Sequence, residues 1–303
     1  MVDWQSIVTR TTEFAELRSL SIIFNGIYLS HEFVCFVAYD WKLLTRKGAS
    51  EHTSLLIKSV KVTYLCCRYL ALISAVTELY MYFRLYQGYL PCEVLMTMST
   101  GIGALATTCS SALIAIRALT LWRWNARITA LIGIAFLALL GTDIQSTVLV
   151  RSTYEPAFSL CSTEHANHSL PNLLSLLICD VVVLTCLLTG LRRWHDPRKK
   201  WGAFRLWTIL WNQGVIYLVL ASATEVPAVV FLLLRLNSVM NSMFTTPLVV
   251  ILVVATTRFY RSLHSFTPNQ TRDDFTNTVR FATVDIGTRG EHDEDGFEMA
   301  RRR

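Results

Sequence analysis

Residues 92–124 read CEVLMTMSTGIGALATTCSSALIAIRALTLWRW. From Glu93 to Ile116 this stretch has no basic residue, and Glu93 at its edge is its only acid. The run is longer than the ~20 apolar residues that a membrane-crossing helix requires. Gly101, Gly103, Ala104, Ala106, Ser110, Ser111 and Ala112 within it are small, and small residues let helices approach closely inside a membrane bundle. One end carries Cys92, and the other leads to Arg117, Arg123 and Arg127. The two ends differ chemically, and that difference orients the rest of the chain.

The whole chain has the same character. Its 303 residues are 52% hydrophobic and 17% charged, with mean hydropathy +0.40. A soluble domain carries about a quarter charged residues, so the composition indicates a membrane protein. The net charge of +6 comes from short basic clusters between apolar segments. That pattern suits loops beside a lipid bilayer, not a nucleic-acid groove, so nucleic acid is not an expected partner. The opening MVDWQSIVTRTTEFAELRS has no apolar core of a cleaved signal peptide, which leaves the first spanning helix as the targeting signal.

Working outward from residues 92–124, apolar segments recur at about 19–39, 60–83, 128–150 and 173–191. The apolar region 206–257 is too long for one crossing and divides at Arg235–Ser238 and Asn241–Ser242. The expected fold is therefore all-α, a polytopic membrane protein with seven transmembrane helices. Residues 1–18 are expected as an extracellular segment, either a short interfacial helix or a loose stretch of chain. Residues 19–257 form the transmembrane domain. Residues 258–303 form a cytoplasmic, largely disordered tail with the acidic run EHDEDGFE, in which Arg258–Phe266 suit a short amphipathic helix on the inner leaflet.

Loop charges assign the sides. Loops after spans one, three and five hold 13 basic residues, against three (Arg84, Arg151 and Arg235) in the others. The positive-inside rule then puts the N-terminus outside and the tail in the cytoplasm, with a plasma-membrane address. The most basic loop, 192–205, is a candidate contact for lipids or a cytoplasmic signalling partner. The outer side is oxidising. Cys92 and Cys161 are the two cysteines expected there, and they are read as a disulfide in preference to two free thiols. Asn167-His168-Ser169 is a glycosylation sequon in the same outer loop, whereas Asn269 lies on the cytoplasmic side and stays unmodified.

Charges at membrane depth are costly unless they face the bundle interior. Glu32, Arg68, Glu78, Asp143, Asp180 and Glu225 are therefore the functional candidates. Glu78, Asp143 and Glu225 fall in the outer halves of their spans, with Asn241 opening span seven on the same side. Together they suit a pocket for a polar or cationic ligand. The competing reading is that they only hold the helices together. Arg68 is expected to pair with Glu32.

No nucleotide-binding loop, GxSxG or HExxH is present, and the spans contain one histidine, His31. No catalytic residues, metal ligands or cofactors are assigned. Spans six and seven lack lysine, which argues against a retinal Schiff base.

Ala38-Tyr39-Asp40-Trp41-Lys42-Leu43-Leu44-Thr45, followed by Lys61-Val62 and Arg68-Tyr69-Leu70, resembles the signature of a family of fungal, basidiomycete-type integral membrane proteins, domain of unknown function 6533. Members typically carry Tyr-Asp-x-Leu-Leu-Thr and then Asn-Arg-Tyr-Leu; here Cys67 stands where Asn is usual. Ile116-Arg117-Ala118-Leu119-Thr120-Leu121-Trp122 is similar to the family's Leu-Arg-x-Tyr-Ala-Leu-Trp element, with Thr120 in place of Ala. The resemblance implies a seven-helix membrane protein of unassigned activity and carries over no catalytic residue. The layout also resembles a G-protein-coupled receptor, although the Asp/Glu-Arg-Tyr triplet after span three and Asn-Pro-x-x-Tyr around Pro247 are missing.

The leading expectation is receptor-like ligand sensing without catalysis. The alternative is a transporter or channel for a small polar solute, with Glu32, Arg68, Asp143 and Asp180 along the path. The assigned sides are tested by deglycosylating protein from a eukaryotic host. A gel-mobility shift is expected, and Asn167→Gln should abolish it; no shift would contradict the outer position of this loop.

Overall fold

The computed structural model describes residues 7–45, 55–84, 92–149, 151–155, 160–164, 170–194, 201–234 and 238–266. The fold is almost entirely helical. Helix α1 (Ile7–Ile27), a π-helical segment (Tyr28–Phe33) and α2 (Val34–Thr45) follow one another without a break, because Ile27 and Val34 at the joins keep right-handed helical dihedrals. Then come α3 (Leu55–Arg84), α4 (Cys92–Leu121) and α5 (Ala126–Leu149). A hairpin of β1 (Arg151–Glu155) and β2 (Leu160–Glu164) precedes α6 (Leu170–Trp194), α7 (Trp201–Leu234), the short α8 (Ser238–Ser242) and α9 (Thr245–Phe266).

Among the described residues, five helices are long and apolar enough to cross a membrane: 11–45, Lys58–Phe83, Cys92–Leu121, Ala126–Leu149 and Leu170–Arg193. Their outward faces are compatible with a lipid environment. On α5, Ile134, Leu137, Ile144 and Val148 form an exposed apolar stripe, with Leu137 71% exposed. A stripe of that kind facing water would be a binding or aggregation surface.

Helix α4 is the most enclosed of the five, and its small residues explain why. A Cβ on Gly101 would lie 3.1 Å from the Thr147 methyl of α5. A Cβ on Gly103 would lie 3.5 Å from Ser74 Oγ of α3 and 3.6 Å from Val249 of α9. Two apolar cores form around α4. One joins Ile114, Ala118, Leu139, Val183, Leu187 and Leu252. The other joins Tyr64, Cys67, Ala106, Leu113, Val253 and Tyr260.

The α4–α5 connection is built locally. Arg123 (φ 49°) and Trp124 (φ 57°) both adopt the left-handed conformation, a common way to end a helix though a costly one away from glycine. The Trp124 N–H returns to the Leu119 carbonyl at 3.0 Å. Asn125 Oδ1 then accepts the Arg127 N–H at 3.1 Å and caps α5. Trp122 turns inward. Its indole donates to the Cys186 carbonyl at 2.8 Å over Gly190, where a Cβ would meet the indole nitrogen at 2.9 Å. Its position is fixed by the protein as well as by any aromatic belt.

Three boundaries differ from expectation. Helix α1 starts at Ile7, across the boundary placed at 18, because Phe14 and Leu17 are inward-facing: Leu17 is buried, and the Phe14 ring lies 6.5 Å from that of Tyr82. Helix α2 continues through Thr45, so Asp40 lies in a helix and not in a loop. Helix α9 passes through Arg258 without a bend assigned to it, with Phe259 and Tyr260 buried. The chain's contacts divide after Tyr260; residues 261–266 complete α9. The expected break of the long apolar region falls between α7 and α9.

The disulfide Cys92–Cys161 is present, with Cα atoms 5.6 Å apart. It ties the start of α4 to β2, where Cys161 pairs with Tyr154 across the hairpin. A two-stranded hairpin is marginal by itself, and the bond supplies a covalent anchor. The other six cysteines are free thiols. Maleimide labelling of the denatured chain should therefore modify six cysteines without reductant and eight with it. Cys92→Ser should raise the unreduced count to seven and lower stability by about 2–4 kcal/mol; eight without reductant would exclude the bond.

Candidate functional site

Glu78, Asp143, Asp180, Glu225, Glu32, Asp40 and Arg68 fall in three clusters, each reaching α3 or α4. At the Cys92 end, Glu78 of α3 accepts hydrogen bonds from Asn25 Nδ2 of α1 (2.9 Å) and Thr246 Oγ1 of α9 (2.8 Å). Ser21 joins the cluster, 3.2 Å from Thr246 Oγ1 and 3.3 Å from the Tyr82 hydroxyl. One carboxyl is thus held by polar side chains from two other helices.

A second cluster joins α4, α5, α6 and α7. Thr108 donates to Asp143 Oδ2 at 2.6 Å, and Ser111 donates to Asp180 Oδ1 at 2.5 Å. Glu225 of α7 is buried near Asp180, close enough for the two carboxyls to interact electrostatically.

The third cluster surrounds Arg68, which is 1% exposed. Its Nη1 lies 2.8 Å from Asp40 Oδ2, in an ion pair whose side chains are each 2% exposed. Nη2 donates to the Glu32 and Phe33 carbonyls, both at 2.8 Å, and Nη1 reaches the Phe36 carbonyl at 3.4 Å and the Tyr64 hydroxyl at 3.3 Å. Tyr64 in turn donates to Asp40 Oδ1 at 3.1 Å. The Tyr28 hydroxyl donates to the backbone carbonyl of Arg68 at 2.8 Å.

The π-helical segment is part of this arrangement. A π turn holds one residue more than an α turn and is frequent at functional positions. Here two of its carbonyls, those of Glu32 and Phe33, face a guanidinium. The Glu32 carboxylate pairs with Arg258 of α9. Tyr64 also stacks on Tyr260 at 4.5 Å, and Arg117 of α4 lies over Phe259 at 4.6 Å and Tyr260 at 5.7 Å. A single polar and aromatic chain thus connects α2, α3, α4 and α9.

The four residues expected to share a pocket are therefore divided. Glu78 belongs to the first cluster. Asp143 and Glu225 belong to the second, together with Asp180. The side chain of Asn241 lies outside the described residues, as do Asn167 and residues 195–200 of the basic loop. Arg192 and Arg193, at the end of α6, are exposed. The expected Arg68–Glu32 carboxylate pair is replaced by Arg68–Asp40. The Arg68 guanidinium takes the Glu32 carbonyl, and the Glu32 carboxylate takes Arg258.

Asp40, Arg258 and the hydroxyls of Thr108 and Ser111 were not legible as site residues. Asp40 reads as loop because it stands among polar residues, and Ser111 reads as a small packing residue. The signal for the hydroxyls was their repetition: Thr107, Thr108, Ser110 and Ser111 place hydroxyls on several faces of one helix.

Chemically, the clusters can hold charge, exchange protons and recognise polar groups. Among the described residues, no group of three or more His, Cys, Asp or Glu side chains has the spacing to hold a metal ion. No protein-family model and no curated protein matches the chain.

The Arg68 cluster is tested by double-mutant cycle. Removing one partner of a buried ion pair costs about 3–5 kcal/mol, because the other charge is left uncompensated. Arg68→Met and Asp40→Leu should each cost that much in unfolding experiments on detergent-solubilised protein. The double variant should be less destabilised than the sum. Additive losses would mean that the two charges do not act as a pair.

Proposed function

We propose that the chain is a seven-helix integral membrane protein that senses a ligand at its Cys92 end and transmits binding to its opposite end without catalysis. Seven crossings follow when α7 and α9 are added to the five apolar helices. Their 34 and 22 residues extend about 51 and 33 Å at 1.5 Å per residue, against a hydrocarbon core of about 30 Å. In this reading the N-terminus and the glycosylated Asn167 loop are outside the plasma membrane. The tail and the basic 192–205 loop are cytoplasmic, where the loop contacts lipids or a signalling partner.

The observation that carries the proposal is the set of helices shared by two distant clusters. α1 supplies Asn25 and Ser21 to the Glu78 cluster and continues into the π-helical segment at Arg68. α3 supplies Glu78 and Arg68, ten residues or about 15 Å apart. α9 supplies Thr246 to the first cluster and Arg258 and Tyr260 to the Arg68 region. A ligand that displaces Asn25 or Thr246 from Glu78 acts on helices whose other contacts are the inner ion pairs. The hairpin bonded to Cys92 covers the same end of α4.

Asp40 and Arg68, from the first two elements of the quoted sequence pattern, form an ion pair, and Arg117, from the third, joins the same aromatic chain. The second reading, a transporter or channel, draws support from Asp143, Asp180 and Glu225 deep in the bundle.

The readings separate in reconstituted protein. For the receptor, a thermal-shift panel of small amines and polar cations in nanodiscs should give a stabilising compound, and Glu78→Gln should weaken its binding about 10- to 100-fold, the equivalent of one charge-assisted hydrogen bond. A panel without a hit, combined with cation or polar-solute flux in proteoliposomes that falls in Asp143→Asn or Asp180→Asn, would favour the transporter.

A further inference from the structure

Arg258 is the one exposed residue of α9 between Thr246 and Ser262. It lies 13 residues past Thr245 and eight before Phe266, about 20 and about 12 Å from the two helix ends. An arginine at such a depth in a bilayer usually extends its stem toward water at the nearer end. Arg258 is held back, because its Nε donates to Glu32, whose side chain is 4% exposed. The Arg258 side chain still remains 56% exposed, and its Nη1 and Nη2 groups have no acceptor among the described residues. Helix α9 has no acid of its own, and α7 has none before Glu225. Unmet N–H donors facing hydrocarbon are costly, so this guanidinium calls for an acceptor from outside the bundle.

His31 stands against the same carboxylate. Its Nδ1 is 4.0 Å from the Glu32 oxygen that Arg258 holds, and its side chain is 61% exposed. One turn away on either side are Ile27 and Val34, 55% and 65% exposed, and Val37 and Trp41 continue the apolar face. Two N–H-bearing side chains are thus set into a surface that is otherwise suited to alkyl chains.

Charge narrows the choice of occupant. Glu32 already balances Arg258, so an occupant that adds net charge at this depth is disfavoured. A carboxylic acid avoids that cost: it arrives neutral, and its proton stays in the site, shared between its carboxyl and the His31 imidazole. The outer Nη1–Nη2 edge of a guanidinium matches the two oxygens of a carboxyl group. A phosphate monoester brings more negative charge than the site can balance. We propose that Arg258 and His31 form a lateral binding site, open to the bilayer, for the carboxyl group of a long-chain fatty acid whose alkyl chain lies along Ile27 and Val34. The site is separate from the Glu78 cluster, and its occupant shares Arg258 with Glu32.

The experiment uses the full chain in phosphatidylcholine nanodiscs and palmitic acid with a photoreactive diazirine on its alkyl chain. Labelling of the peptide that holds residues 23–41 should be saturable. Unmodified palmitic acid should displace the probe. Palmityl alcohol and methyl palmitate should need at least about 10-fold more, the equivalent of one charge-assisted hydrogen bond. Arg258→Gln should weaken labelling about 10- to 100-fold, and His31→Phe about 3- to 10-fold. Arg258→Lys keeps a cation for Glu32, and with it the fold, but lacks the two-pronged edge; it should weaken labelling as well. Arg127→Gln, at the start of α5, should leave labelling unchanged.

Nuclear magnetic resonance of palmitic acid isotope-labelled at its carboxyl carbon provides a measurement on the native protein. A carboxyl resonance distinct from that of the bilayer pool should appear with native protein and be lost with Arg258→Lys. The proposal is overturned if the alcohol and the methyl ester displace the probe as well as the acid does, since the contact is then an ordinary lipid-facing surface. It is also overturned if both Arg258 variants are labelled like the native protein. Phosphatidic acid displacing the probe better than palmitic acid would overturn the carboxyl assignment.

Discussion

An arginine in the middle of an apolar helix has to be neutralised and hydrogen-bonded where it stands. Arg68 meets that requirement with one anion, Asp40, and with carbonyl oxygens of the segment before it. Much of the surrounding structure follows. The ion pair fixes how far α2 slides along α3. The carbonyls require a helical segment whose backbone oxygens turn toward a neighbour. Tyr64 and Tyr28 close the remaining polar positions, and their rings fill the space between the helices. Because Tyr64 also stacks on Tyr260, α9 is held in register by the same group of residues.

Helix α4 divides the bundle. Its face with Gly103, Ala106 and Ser110 meets α3 and α9: Cys67 bonds to the Ala106 carbonyl and Ser110 to Thr256. Its face with Gly101, Thr108 and Ser111 meets α5 and α6. The Glu78 cluster lies among α1, α3 and α9, and the three-acid cluster among α5, α6 and α7. The two groups of acids are thereby separated by a helix whose own side chains are too small to fill the gap but polar enough to bond to both sides. Small residues allow the close approach, and hydroxyls on them supply the specificity that apolar contact in lipid lacks.

Composition, the apolar segments, the pairing of Cys92 with Cys161 and the break after residue 234 were all legible from residue type and order. These are properties of short stretches. What was not legible depends on partners far apart in the chain. The loop 151–172 reads as polar, yet Thr153, Tyr154 and Thr163 have strand-forming side chains, and the disulfide gives the hairpin an anchor that local reading does not weigh. Asp40 reads as a loop acid until Arg68 is known to lie beside it. Glu32 lies close enough along the chain to be the obvious partner of Arg68, but its carboxylate points to a residue more than two hundred positions away. Which intramembrane acids share a site is decided by helix neighbours, and the sequence does not state these.

The π-helical segment has a consequence for phase. At about 100° per residue, Leu17, Ser21, Asn25, Tyr28 and Glu32 form one narrow inward stripe, and all five are buried. Continued as a regular α-helix, that stripe would miss Asp40, which lies 19 residues past Ser21 and so about 100° away. The one extra residue in the wide turn cancels that offset, and Asp40 returns to the line of Ser21. The two halves of the helix behave like two combs offset by a single tooth. Each is regular, and only the offset brings the Glu78 partners and the Arg68 partner onto the same side. An insertion that looks like an irregularity in the backbone is therefore what allows one continuous helix to serve both polar clusters at once.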